Sequence, residues 1–399
     1  MINSNIHAGN TALNDPFPTP EVQTGTLTYT LLPDEKACVI TGIGTCTESK
    51  LVIPENIEGY PVTGIARSAF AGCLCLTSIV IPDTVIYVGQ AAFKECLRLK
   101  YVKLPSTLSL IPAFLFCGCQ SLTDIELPHT VKRIESAAFC NCGSLSAISF
   151  PFGLEAVGAA AFSGCRSLRN VQFPHTVSTI ENWAFNRCRN LVDIIIPETV
   201  NRIGEGVFAN CTSLSAISLP DTDICIGAAA FHGCKSLRSV TLPSKISEIG
   251  KYLFCHCSLL ESVAIHDGVT VIGKGAFANC TSLTNFVSAE NLKTVGASAF
   301  NGCAHLESVE IKKGTLSIGA RAFANCGRLT NVTIAKSVTD IGFRAFANCG
   351  NLKSIKYKGF KSRWKKLNIN EIWRDRSSIR KIRFSLGSIQ FEETTPETE

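Results

Sequence analysis

The sequence predicts a repeat solenoid of thirteen coils of 23 residues, capped at both ends. Three observations predict it: a phenylalanine recurs every 23 residues, a cysteine follows each one after three residues, and a leucine follows each one after six. Self-similarity with a period of about 20 to 50 residues indicates stacked supersecondary units that share one continuous core. The repeat phenylalanines are Phe70, Phe93, Phe116, Phe139, Phe162, Phe185, Phe208, Phe231, Phe254, Phe277, Phe300, Phe323 and Phe346.

The residues before the repeats divide into a tail and a cap. Residues 1–24 are polar, contain prolines and lack periodicity, which predicts a disordered N-terminal tail. Residues 25–65 are predicted to form an N-terminal β cap, because two apolar runs flank residues 33–36 as in a β-hairpin. An atypical first coil follows at residues 51–54. Such a cap covers the core and the sheet edge that a first coil would otherwise expose.

In the repeats, residues 66–358, the spacing of the apolar residues changes partway along each coil. This change predicts which part of the coil is a strand and which part is a turn. Apolar residues nine and eleven positions after each phenylalanine alternate, as in Val171 and Phe173, which predicts a short strand. Proline ends this strand in eight consecutive repeats, from Pro82 to Pro243, because it has no N–H to continue a ladder. The Val-x-x-Ile-Gly stretch predicts an extended return segment. The three-residue spacing of Phe, Cys and Leu predicts a short helical or 3₁₀ turn.

The glycine of the return segment is predicted to serve close packing. Ala66, Pro112, Glu135 and Glu181 take its place in four repeats. Proline fixes φ near −65°, so this position cannot demand the left-handed conformation that favours glycine.

Composition and charge narrow the functional classes. No apolar run approaches the roughly 18 residues that span a bilayer, and the first residues lack the basic and apolar regions of a signal peptide. The net charge of +6 is unevenly placed: residues 356–386 carry +9, from eleven Lys or Arg against Glu371 and Asp375, residues 391–399 carry −4, and residues 1–355 carry +1. The remaining solenoid is almost neutral, which argues against a nucleic-acid groove lined by a basic stripe.

Thirteen of the twenty cysteines stand at the same repeat position. Stacked coils would place them about 5 Å apart, within disulfide range, but with side chains pointing the same way. We interpret them as reduced core residues whose S–H reaches a loop carbonyl, with a disulfide or metal ladder as the alternative. Cys117, Cys119, Cys140 and Cys142 leave a four-thiolate zinc site conceivable, although the usual C-x₂-C spacing is absent. We therefore predict no metal and no cofactor.

The pattern Leu-x-x-Ile-x-Leu-Pro-x-x-Val-x-x-Ile-Gly-x-x-Ala-Phe-x-x-Cys resembles the BspA-like, or Treponema pallidum type, leucine-rich repeats over about residues 66–358. The lead-in at residues 60–62 and the end that contains Trp364 also look like the flanks of such proteins. The resemblance implies a right-handed, curved leucine-rich-repeat superhelix with short parallel strands on its concave face. It also implies a surface or secreted protein that binds other proteins, often in adhesion to host cells.

Strand alternation places the residues eight and ten positions after each phenylalanine on the predicted concave face. The chemically distinct group on this face is predicted to bind a partner, with an ordinary solvated sheet face as the alternative. Its members are Tyr101, Lys103, Asp124, Glu126, Asn170, Gln172 and Asp193. The carboxylates of Asp124 and Glu126 could pass for a catalytic pair. Nothing apolar surrounds them, however, and a shallow face does not exclude water, so we predict no enzyme.

The end of the chain permits two interpretations. Residues 359–388 mix basic residues with apolar ones, and we interpret them as a C-terminal cap in which Trp364 takes the place of a repeat isoleucine. The alternative is a patch for anionic membranes or nucleic acid. Residues 389–399, which hold four glutamates, are predicted to be a disordered acidic tail.

Together these features predict a non-catalytic protein–protein interaction module. It would be a bacterial surface or secreted adhesin or effector that binds host or neighbouring-cell proteins. The alternative is a cytoplasmic interaction scaffold with a reduced thiol core, which the absence of a visible leader favours. We predict a monomer that binds other proteins, with no nucleic acid, no integral membrane segment and no small-molecule substrate.

Overall fold

The computed structural model describes residues 27–32, 34 and 36–391. These residues form a β-solenoid of about fifteen turns, about 23 residues apart, with parallel strands and almost no helix. The predicted repeat solenoid is therefore confirmed. The predicted disordered tail at residues 1–24 and all but three residues of the predicted acidic tail lie outside the described residues.

The predicted strands form four parallel sheets in succession along one side of the stack, together called the long ladder here. Its strands pair in parallel with a shift of one repeat, as in Ser78↔Tyr101 and Asn170↔Asp193. Proline follows most of them, as expected where a ladder stops. The strands are Lys50–Val52, Ser78–Val80, Tyr101–Lys103, Asn170–Gln172, Asp193–Ile195, Ala216–Ser218, Ser239–Thr241, Ser262–Ala264, Asn285–Val287, Ser308–Ile311, Asn331–Ala335, Ser354–Lys358 and Lys381–Arg383, with Ser388–Gln390 added antiparallel at the end.

The Val-x-x-Ile-Gly return segments are extended, as predicted. They form a second series of strands, mostly of two residues, which we call the short ladder. Its strands are Tyr60–Ile65, Tyr87–Val88, Leu110–Ile111, Arg133–Ile134, Ala156–Val157, Thr179–Ile180, Arg202–Ile203, Cys225–Ile226, Glu248–Ile249, Val271–Ile272, Thr294–Val295, Ser317–Ile318, Asp340–Ile341 and Asn368–Ile369. The predicted N-terminal hairpin is present as Thr28–Leu32 paired antiparallel with Ala37–Gly42. Tyr60–Ile65 joins this hairpin to the short ladder and pairs with Asn56–Ile57.

The segment around each phenylalanine is not the helical or 3₁₀ turn that the spacing predicts. The one α-helix among the described residues is Lys361–Trp364, which lies outside these segments of the chain. The residues two before and two after each repeat phenylalanine have positive φ, as Ser68 and Gly72 do around Phe70. Left-handed residues interrupt a right-handed helix. The Phe70 N–H also donates to Ala92 O in the next coil at 2.8 Å, so these turns bond between coils as well as within them.

The core is a column of stacked aromatic rings. All thirteen repeat phenylalanines are buried, and neighbouring ring centroids lie 5.1 to 6.0 Å apart with nearly parallel planes. Burying one such side chain contributes about 1.5 to 3 kcal/mol. A single coil cannot enclose its own ring, so this stabilisation exists only in the stack.

The ladder cysteines are free thiols that bond to the backbone, as interpreted from the sequence. Twelve of them donate an S–H to the carbonyl of the phenylalanine in the preceding coil, at 3.0 to 3.3 Å, starting with Cys96 on Phe70 O. Cys73, which has no such coil before it, lies with its Sγ 3.2 Å from that of Cys75. Burial raises the pKa of thiols such as Cys234 well above the usual range, so they stay protonated donors.

The return-segment glycines serve close packing, as predicted. A Cβ on Gly158 would lie 2.7 Å from Ile134 O, and one on Gly89 would lie 2.4 Å from Arg67 N, without a positive φ at either residue. The backbone of one coil therefore rests directly on that of the coil before it.

The C-terminal segment covers the last coil. Trp364, Trp373, Ile379, Ile382 and Phe384 are buried, and the Trp373 ring meets the last repeat phenylalanine edge-on at 5.9 Å. Two details differ from the sequence prediction. Five extra residues shift the return strand, so Ile369, and not Trp364, follows Ile341 in the short ladder. The antiparallel strand Ser388–Gln390 also extends the ordered cap beyond the predicted boundary at residue 388.

Candidate functional site

The candidate site is the outward face of the long ladder in its N-terminal half. All seven predicted partner-binding side chains are exposed there, while the residue between each pair points into the core. Val102, Ile125, Val171 and Ile194 are those buried intervening residues. The alternation predicted from the sequence therefore holds at every one of these positions.

The ladder holds five of the seven residues, in two groups. Tyr101 and Lys103 share a strand, which pairs with Ser78–Val80. Asn170 and Gln172 pair directly with Asp193 and Ile195 in the next coil.

Asp124 and Glu126 lie between these two groups, where the ladder is interrupted. Only the isolated bridges Glu126↔Ser149 and Ala147↔Asn170 connect the described residues there. Four coil steps of about 4.8 Å separate the first group from Asp193, so the face extends over about 19 Å.

The polar groups of the face have few strong local partners. The Ser215 hydroxyl donates to Asp193 Oδ1 at 3.3 Å. No ion pair among the described residues engages Lys103, Asp124 or Glu126. Charged groups without an internal partner keep their bonding capacity for a ligand.

Three exposed apolar side chains were not predicted as site residues from the sequence. Ile195 is 72% exposed beside Gln172, and Val192, the residue before Asp193, is also exposed. Phe152, 78% exposed, follows the proline that ends its strand. A signal for Ile195 was available, because it is an isoleucine at an outward position that is polar or small in most coils. Exposed apolar groups among polar ones are typical of contact surfaces.

The arrangement offers no enclosed reaction site. The predicted carboxylates lie on an open sheet face, and the described cavities are elsewhere. One of about 370 Å³ lies beside Tyr87 and Leu110 on the return side, and one of about 870 Å³ lies along the turns near Leu97. Among the described residues, no group of three or more His, Cys, Asp or Glu could hold a metal ion. None of the described helices is long and apolar enough to cross a bilayer.

A parallel β-solenoid of 23-residue coils, with an open sheet face that carries polar and charged side chains, defines a leucine-rich-repeat protein of the kind that binds other proteins. The chain belongs to the family of the BspA type leucine rich repeat region. That family matches residues 63–192, 132–261, 178–306 and 247–370, and the resemblance inferred from the sequence is confirmed.

Solved structures agree with this assignment. A leucine rich cell surface protein from Faecalibacterium prausnitzii is 32% identical, with a TM-score of 0.61, over 87% of this chain and 97% of that one. A leucine-rich repeat protein from Bacteroides ovatus is 28% identical, with a TM-score of 0.57, over 80% and 95%. The pneumococcal vaccine antigen PcpA, 18% identical over 91% and 98% with a TM-score of 0.54, shares the fold. Comparison with curated proteins found no match.

Proposed function

We propose that this protein is a non-catalytic adhesin or effector at the bacterial surface or in secreted form, and that it binds a host or neighbouring-cell protein through the outward face around Tyr101, Gln172 and Asp193. The observation that carries the proposal is the exposed Ile195, which pairs in register with Gln172 on a face of exposed polar and charged side chains. Interface hot spots combine such apolar or aromatic anchors with polar neighbours that exclude water. The cell-surface protein of F. prausnitzii supports the location.

The test is binding of the full chain, by biolayer interferometry, to a panel of purified extracellular-matrix proteins. We expect at least one to bind, and Ile195→Glu or Tyr101→Ala to weaken that binding by about tenfold. Ile86→Glu is the matched control, because Ile86 is similarly exposed (68%) but lies on the return side of the first coil. Binding that Ile86→Glu weakens as much as Ile195→Glu does, or a panel with no binder, would contradict the proposal.

A cytoplasmic interaction scaffold is the second candidate. The observation that favours it is the thiol ladder, because twelve buried S–H groups bonded to carbonyls describe a reduced core. Disulfides are rare where glutathione keeps thiols reduced. Fractionation of the native cells separates the two candidates: protein confined to the cytoplasmic fraction supports the scaffold, and protein in the surface or culture fraction supports the adhesin or effector.

A further inference from the structure

We infer that the C-terminal end of the solenoid binds the surface of an anionic lipid bilayer, through two exposed apolar side chains and the basic residues around them. This membrane-binding end comprises Phe360, Leu386, Lys336, Lys361 and Arg363. It lies seven coils from Asp193, so it is distinct from the protein-binding face and independent of the proposed function.

The two apolar side chains are the most exposed large apolar residues of the described cap. The other large apolar residues near them, such as Tyr357 and Phe384, are buried against the last coil. Phe360 is 61% exposed and Leu386 is 78% exposed. Both follow the ends of neighbouring strands, Ser354–Lys358 and Lys381–Arg383, which pair in register. The Ser385 N–H donates to Gly359 O at 3.3 Å. Phe360 and Leu386, which directly follow these two residues, therefore lie at the same end of the two strands.

Basic side chains surround this apolar pair. Lys361 and Arg363 belong to the short helix that begins directly after Phe360. The Arg363 Nε donates to Lys336 O at 2.6 Å, which draws an exposed lysine of the preceding coil to the same edge. No carboxylate among the described residues pairs with Lys336, Lys361 or Arg363, whereas Lys358 is bridged to Glu310 at 2.9 Å. Three exposed cations that no described carboxylate neutralises therefore lie in the segments beside the two apolar side chains.

Exposed apolar side chains flanked by Lys and Arg are typical of peripheral membrane binding. The apolar groups enter the boundary between headgroups and acyl chains, and the cations contact anionic headgroups. Single-stranded nucleic acid fits less well, because successive bases need several aromatic platforms, and this end exposes the ring of Phe360 while those of Trp364 and Trp373 are buried. Phe391, the last described residue, lies away from this edge. The last strand runs antiparallel, and Phe391 N–H bonds to Arg380 O at the opposite end of the strand Lys381–Arg383.

The test is co-sedimentation of the full chain with vesicles of equimolar phosphatidylcholine and phosphatidylglycerol, compared with phosphatidylcholine alone, at low and high salt. We expect binding to the anionic vesicles only. Lys336→Glu combined with Lys361→Glu should weaken it by at least about tenfold, because each cation adds to the attraction of an anionic surface. Phe360→Ser combined with Leu386→Ser should weaken it by about tenfold, since apolar burial is lost.

Ile86→Ser is the matched control, because it removes an equally exposed apolar side chain from the other end of the molecule. It should leave vesicle binding unchanged. Circular dichroism confirms that each variant is folded. Equal binding to both kinds of vesicle, or no binding to either, overturns the inference. So does binding that heparin abolishes while Phe360→Ser with Leu386→Ser leaves it unchanged, because the end would then be a site for soluble polyanions.

Discussion

Truncation of one ring in the middle of the aromatic column should uncouple the two halves of the solenoid. Phe162 is fully buried and stacks on Phe139 at 5.1 Å and on Phe185 at 5.2 Å. Phe162→Ala removes both contacts and leaves a cavity that costs about 3 to 5 kcal/mol. With a urea dependence of about 3 kcal/mol per molar, a loss of about 4 kcal/mol moves the local midpoint by a little over 1 M. Because coils contact only their neighbours, this loss should stay local and split one transition into two.

Equilibrium urea unfolding provides the assay, with circular dichroism for the whole solenoid and tryptophan fluorescence for particular coils. Trp183 lies in the coil next to Phe162, whereas Trp364 and Trp373 are in the C-terminal cap. Phe152→Ala makes the same truncation at a residue that is 78% exposed. It should change the free energy of unfolding by less than about 0.5 kcal/mol. A single transition in Phe162→Ala, shifted no further than in Phe152→Ala, would refute the reasoning.

Three further predictions concern the cap and the thiols. Trp364→Ala removes a buried ring that packs on Tyr357 at 5.1 Å, and should cost about 3 to 5 kcal/mol and unfold the C-terminal coils first in hydrogen exchange; loss of protection that starts elsewhere would contradict the capping role. Thiol titration without reductant should count close to twenty free thiols in the denatured chain and far fewer in the native one; ten or fewer when denatured would contradict the reduced core. Stability should fall above pH 9, because burial raises the pKa of Cys349 to about 12 from about 9, so the unfolded chain releases protons that the folded chain retains. Each such thiol lowers the free energy of unfolding by about 1.4 kcal/mol per pH unit up to its folded pKa, and urea midpoints measured from pH 7 to 10 check the sign.

Most of the fold could be predicted from the sequence because each coil repeats the same local constraints. The phenylalanine position is buried in every coil, and the proline after Leu242 or Ile81 ends a strand as its missing N–H requires. The turn around the phenylalanine could not be predicted in the same way. Three-residue spacing is compatible with a 3₁₀ turn. Bonds between coils, such as Phe70 N–H to Ala92 O, instead favour a turn in which the residues two before and two after the phenylalanine are left-handed.

The candidate sites depend on features that periodicity does not contain. Alternation correctly placed Tyr101 and Asp193 on the outward face, but it says nothing of the interruption of the ladder near Asp124. Because five extra residues precede Ile369, Trp364 does not occupy the position in the short ladder that the 23-residue period predicts for it. Phe360 and Leu386 are apolar, and only the folded cap shows that they face outwards.

The uniform contact between coils makes the solenoid a molecular spacer with a fixed increment. Each coil adds about 4.8 Å between whatever is attached at its two ends. The seven coils from Asp193 to Ser354 thus separate the proposed protein-binding face from the proposed membrane-binding end by about 34 Å. Because every junction repeats the same ring stack and the same thiol-to-carbonyl bond, 23 residues can be removed or duplicated without a new kind of junction. Reach can therefore change in steps of one coil while both ends keep their chemistry.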